Sequence, residues 1–161
     1  MAFQTVWYNN AMPEAAINLF ENEIKESTIP DSSWVRGFLW TYIDRANREN
    51  FLYDLSGFDN NSLEYKVYNE GDLQSWRVDR KPIENDDEKI CKLSFIYQLS
   101  DVGDYEGGNV QFVDESGKKY FMPRQRSTLA IFDSQTSYRV LQVIKGTRKS
   151  LVGCVLGPQW K

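Results

Sequence analysis

The residues of this 161-residue chain best suited to chemistry are acidic, basic and aromatic, and none of them is histidine. That removes the Ser-His and Cys-His pairs that activate a nucleophile. It also removes the mixed Cys/His sets of zinc sites, and Cys91 and Cys154 do not form a CxxC. Glu106-Gly107-Gly108-Asn109 lacks the Lys-Ser/Thr ending of a phosphate loop and reads as a tight β-turn. Asp101, Asp104 and Glu106 stand close enough to hold a hard cation such as Ca²⁺. A solvated acidic turn is the reading preferred for them. Arg77 and Asp79 are two apart in a strand-like stretch, so both side chains face one side.

The elements that must position such residues follow from periodicity. Residues 13–26 read as an amphipathic helix, with Pro13 in the first turn, Ala16, Ile17, Phe20 and Ile24 at helical spacing, and Pro30 as a stop beyond it. Residues 38–49 read as a second helix on the stripe Leu39, Tyr42, Ile43 and Ala46. After Phe51 the period shortens to that of strands: 51–55, 63–68, 75–78, 92–99, 109–113, 119–122, 127–132, 137–144 and 150–155. Turn signals separate them, among them Glu106-Gly107-Gly108 and Lys145-Gly146. Helices followed by many short strands predict a mostly β fold, a β-sandwich or jelly roll with N-terminal helices packed on it.

Composition bounds the rest. The length suits a single domain, with a helical part over about 10–50 and a β part over about 51–161. The net charge of −4 does not suggest a nucleic-acid surface. No run of about 18 apolar residues exists to span a membrane, and the start of the chain carries no signal-peptide pattern, so cytoplasmic synthesis is expected. The cysteines sit in apolar, strand-like runs and read as two small buried hydrophobes in a reducing compartment; a disulfide finds no support in their spacing. The charged stretch 84–89 reads as a solvated loop. Phe3 to Tyr8 reads as an edge strand, laid either against a partner or against its own sheet.

Three segments, in order, resemble the 2-oxoglutarate/Fe(II) oxygenases, in particular the prolyl-4-hydroxylase-like group of bacteria and phages. Tyr68 to Asp79 resembles the family's strand ending in Trp-His-x-Asp, with Arg77 in place of the His. Lys92 to Asp101, followed by Tyr105-Glu106-Gly107-Gly108, resembles its central strand and Tyr-Glu-Gly-Gly turn. Ser137 to Gly153 resembles its His-Arg-Val-x-Pro-Val-x-x-Gly-x-Arg segment, with Tyr138 in place of the second His. The ending Gly157-Pro158-x-Trp160 adds to the match, which covers roughly 60–160. The resemblance implies a double-stranded β-helix, a cupin-like jelly roll.

The family holds Fe(II) with two His and one carboxylate and takes 2-oxoglutarate as cosubstrate. Of those ligand positions only Asp79 keeps a group suited to iron, since a guanidinium has no lone pair to give and a phenol ionises only near pH ~10. Arg77, Asp79 and Tyr138 are therefore expected to be vestigial metal-site positions, with Arg77 replacing the metal's charge beside Asp79 or else swinging to solvent. Arg148 corresponds to the basic residue that grips the distal carboxylate of 2-oxoglutarate, with Tyr68 and Gln98 as further contacts. The first expectation for Arg148 is an internal ion pair or an exposed guanidinium; a weakly bound dicarboxylate is the second. The functional expectation is a protein that is not an enzyme and takes no cofactor. It would be a structural or protein-binding module, homo- or hetero-oligomeric, of the kind found in a tailed-phage virion. The alternatives are an oxygenase with an atypical metal site and a sensor of 2-oxoglutarate or another small anion.

Overall fold

The computed structural model describes residues 5–24, 34–59, 62–79 and 89–158. The expected helix stop at Pro30, the loop over 84–88 and Trp160 lie outside the described residues. The first strand, β1 (Thr5–Tyr8), precedes two helices, α1 (Glu14–Ile24) and α2 (Trp34–Ala46). Ile17 and Phe20 of α1, with Val35, Leu39, Ile43 and Ala46 of α2, are fully buried, which is the stripe that the helical period requires. A turn of π-helix (Asn47–Phe51) ends on Leu52 in the left-handed region, so the strand expected at 51–55 does not form there. Pairing resumes only at β2 (Gly57–Phe58).

The remaining strands are β3 (Glu64–Tyr68), β4 (Gln74–Arg77), β5 (Ile90–Gln98), β6 (Tyr105–Gly107), β7 (Val110–Val113), β8 (Lys119–Phe121), β9 (Leu129–Asp133), β10 (Ser137–Val140), β11 (Val143–Gly146) and β12 (Arg148–Gly157). One sheet runs β1-β9-β5-β12-β2, with β3 also paired to β12. A second runs β4-β10-β7-β8, and β11 pairs with β6. All pairings are antiparallel, as a jelly roll requires. β1 closes its own sheet against β9, which resolves the two readings of the N-terminal strand. The run expected as one strand over 137–144 is two, because Leu141 donates its N–H to Asn109 O and the chain then leaves β7 for β6.

Alternation along the central strands sorts the core into two layers. Leu93, Phe95, Tyr97 and Leu99 turn to the helices, as do Leu129, Ile131, Leu151 and Val155. Ile96, Ala130 and Phe132 turn inward and meet Phe112, Tyr138 and Val140 of the second sheet. The space between the sheets is therefore walled by the inward face of β12, the residues 148, 150, 152 and 154. Among the described residues, no helix is long and apolar enough to cross a membrane.

The cysteine expectation is corrected here. Cys91 and Cys154 are joined in a disulfide, with their Cα atoms 5.8 Å apart. Antiparallel pairing of β5 with β12 brings together two positions 63 residues apart, a proximity that linear spacing does not reveal.

Candidate functional site

A cavity of about 620 Å³ opens between the sheets, within the range of small-molecule sites. Arg77, Asp79 and Tyr138 line it, as do Tyr68 and Arg148, so the structure brings five of the six expected site residues to one space. Gln98 is the exception. It lies on the inward face of β5, but its Nε2 donates to Ser100 O at 3.1 Å and to the Tyr105 hydroxyl at 3.0 Å, and it does not line the cavity.

At one group of wall residues, antiparallel register places Tyr138 of β10 directly opposite Arg77 of β4. Arg77 Nε lies 3.0 Å from Asp79 Oδ1. The Tyr138 hydroxyl donates to both carboxylate oxygens of Asp79, at 2.9 and 3.1 Å. Burial, reinforced by the negative charge of Asp79, pushes the Tyr138 phenol far above its ordinary range. It is therefore a proton donor to Asp79. Its ring is fixed between Phe132, 5.0 Å away, and Phe112. A guanidinium, a neutral phenol and a carboxylate already holding both do not fit the two-His-one-carboxylate arrangement for iron. Among the described residues there is no group of three His, Cys, Asp or Glu that could hold a metal. Asp101 and Asp104 instead serve their own turn, the Asp101 N–H donating to Asp104 Oδ2 at 2.8 Å.

Arg148 stands at the start of β12, opposite Tyr68 of β3. Its side chain is the largest among the fully buried ones, at 2% exposure for the residue. The guanidinium lies 5.8 Å from the centre of the Tyr68 ring, and Nη1 makes a long contact of 3.5 Å to Ser150 Oγ. Nη2 has no hydrogen-bond partner, and no carboxylate among the described residues pairs with the group. Burial pulls its pKa down, the direction expected for a cation short of compensation. The exposed guanidinium of the first expectation is thus corrected, and no internal ion pair forms with Arg148 among the described residues. Nearby, Arg124 stacks 4.1 Å from the centre of the Tyr105 ring and is satisfied by the carbonyls of Tyr105 and Gly107 and by Asn109 Oδ1, so the neighbourhood is doubly cationic.

The structure adds residues that the sequence reading passed over. Gln74, inside the Tyr68 to Asp79 segment, lines the cavity, and its Oε1 accepts from the Tyr68 hydroxyl at 3.3 Å. No sequence signal marked it: the expected strand began at Ser75, and an offset of three from Arg77 puts the two on opposite faces of a regular strand, whereas the β4–β10 register is irregular there. Cys91 and Cys154 also line the cavity, so the disulfide forms part of its wall.

No family model matches the sequence, and no curated protein matches it. Solved structures do share the fold. A prolyl-4-hydroxylase from Pseudomonas putida superposes with a TM-score of 0.74 at 16% identity, over 95% of this chain and 88% of that one. A viral collagen prolyl hydroxylase from Paramecium bursaria Chlorella virus-1, solved as a 2OG complex, gives 0.71 at 12% identity, over 96% of each chain. An oxidoreductase of the 2OG-Fe(II) oxygenase family from Burkholderia pseudomallei gives 0.67 at 12%, over 94% of this chain and 83% of that one. The fold is therefore that of the 2-oxoglutarate/Fe(II) oxygenases, as the motifs implied. These matches correct two expectations. The chain was expected not to be an enzyme and to take no cofactor, yet its structural neighbours include two prolyl hydroxylases, one of them solved with 2OG, and an oxidoreductase of the 2OG-Fe(II) oxygenase family. The missing histidines describe the donor set and do not establish inactivity.

Proposed function

We propose that the chain binds a small dicarboxylate of the 2-oxoglutarate class in the cavity between its sheets, with Arg148 gripping one carboxylate. The observation that carries this reading is the buried guanidinium of Arg148, whose Nη2 has no hydrogen-bond partner and which has no carboxylate partner among the described residues. Removing such a cation from water costs several kcal/mol unless an anion compensates it. A carboxylate presents two oxygens that match the guanidinium fork, and in a dry site those hydrogen bonds are charge-assisted. Tyr68 stays protonated because burial raises its pKa, so the wall beside Arg148 adds no competing negative charge. The Chlorella virus hydroxylase, solved as a 2OG complex, supports the ligand class.

Calorimetry and thermal unfolding with 2-oxoglutarate, succinate and phosphate test the reading. 2-Oxoglutarate is expected to bind and to raise stability by about 2.7 kcal/mol at a hundredfold excess over Kd. Arg148→Met is expected to abolish that response without lowering the stability of the free protein, because an apolar chain replaces an uncompensated buried charge. Absence of heat and of any midpoint shift with all three anions at millimolar concentration defeats the proposal.

A further inference from the structure

Resting on that dicarboxylate reading, we propose that Gln74 is the ligand's second anchor and selects acids carrying a further hydrogen-bond acceptor over simple monocarboxylates. Gln74 extends from β4 into the wall that also holds Arg148. Its amide cannot be turned freely. Oε1 faces the Lys66 ammonium at 3.5 Å and the Tyr68 hydroxyl at 3.3 Å. An ammonium has only protons to give, so the oxygen must face it and the NH₂ group must face away. That Nε2 is buried and has no hydrogen-bond partner. It points toward the Tyr138 oxygen, a weak contact that draws the phenol's pKa down slightly, but makes no hydrogen bond with it, and the Tyr138 proton goes to Asp79.

Buried donors are nearly always met. Four side-chain polar atoms among the described residues are buried without a partner: Tyr8 Oη, Gln74 Nε2, Thr136 Oγ1 and Arg148 Nη2. Of these residues only Gln74 and Arg148 line the cavity. The chemistry of the pair is complementary. Arg148 calls for a carboxylate. Gln74, donating from a neutral amide, calls for an oxygen that accepts, either an oxo group or a second carboxylate. A ligand bearing both groups answers both residues at once, and a monocarboxylate leaves Gln74 Nε2 unmet.

The test compares 2-oxoglutarate with pentanoate, a monocarboxylate of the same chain length, by calorimetry on the wild-type protein and on Gln74→Leu. Wild type is expected to prefer 2-oxoglutarate, and Gln74→Leu to weaken it about tenfold or more while leaving pentanoate unchanged. Thermal unfolding reports whether the variant is folded. If it is not, the neutral, similarly sized Gln74→Met loses the donor without adding a charge and must show the same fall in the 2-oxoglutarate/pentanoate ratio. Equal weakening of both acids, or of neither, overturns the role of Gln74 while the dicarboxylate reading stands. Failure of the wild-type protein to bind either acid overturns both.

Discussion

Asp79 is held from two sides, and the two contacts are not equivalent. Its side chain is 13% exposed, whereas the Arg77 side chain is 44% exposed. An ion pair with one partner in water contributes at most about 1 kcal/mol. The Tyr138 hydroxyl, buried and donating to both oxygens, makes the stronger contact. Tyr138→Phe is therefore expected to destabilise the protein by about 1.5–3 kcal/mol, and Arg77→Ala by less than about 1 kcal/mol. Urea unfolding of both variants checks the order; a larger loss for Arg77→Ala would reverse the assignment. The Arg77–Asp79 pairing was legible from their closeness in sequence, although β4 ends at Arg77 and Asp79 lies just beyond it. The role of Tyr138 was not, because only the β4–β10 register sets it against Arg77 and within reach of Asp79.

Two longest strands, β5 and β12, form the spine of the large sheet, and the disulfide ties them at the cavity wall. The bridge closes a loop of 63 residues, which restrains the unfolded chain. Its loss is expected to cost about 2–4 kcal/mol, read as the difference in urea midpoints with and without reductant and matched by the double variant Cys91→Ser, Cys154→Ser. An unchanged midpoint under full reduction would remove the bridge as a stabilising element. The small β6–β11 pair depends on glycine instead. Gly107, at φ +74°, would place a Cβ 2.3 Å from Gln142 O, and Gly146, at φ +79°, would place one 2.1 Å from Asp104 O. Both lie in turns marked by the sequence alone. The close backbone approach that demands glycine there becomes visible only once β6 and β11 are paired.

Across the whole molecule, the central strands β5 and β9 of the large sheet are buried along their whole length, and several phenols in the two core layers are dry. Tyr97, between the sheet and the helices, is fully buried, and burial raises its pKa from 10.0 to about 12. The folded state keeps this proton after the unfolded chain has released it. Stability is therefore fully present below about pH 10 and falls as pH rises from about 10 to about 12. Tyr138 and Tyr65 shift in the same direction and steepen the loss. Urea unfolding across alkaline pH, with tyrosinate absorbance followed in parallel, checks this; constant stability through about pH 12 would contradict it.

By itself the sequence determined the succession of helices and short strands and the glycine turns, which are properties of local period and residue chemistry, and its motif resemblance supplied the jelly-roll expectation and the two positions that lack histidine. Tertiary structure decided which groups face one another. It joined Cys91 to Cys154, turned Gln98 away from the cavity, made Tyr138 a donor, and left Arg148 buried with no counter-anion among the described residues. Register, strand face and burial fix such relations between residues far apart in the chain, and no local pattern encodes them.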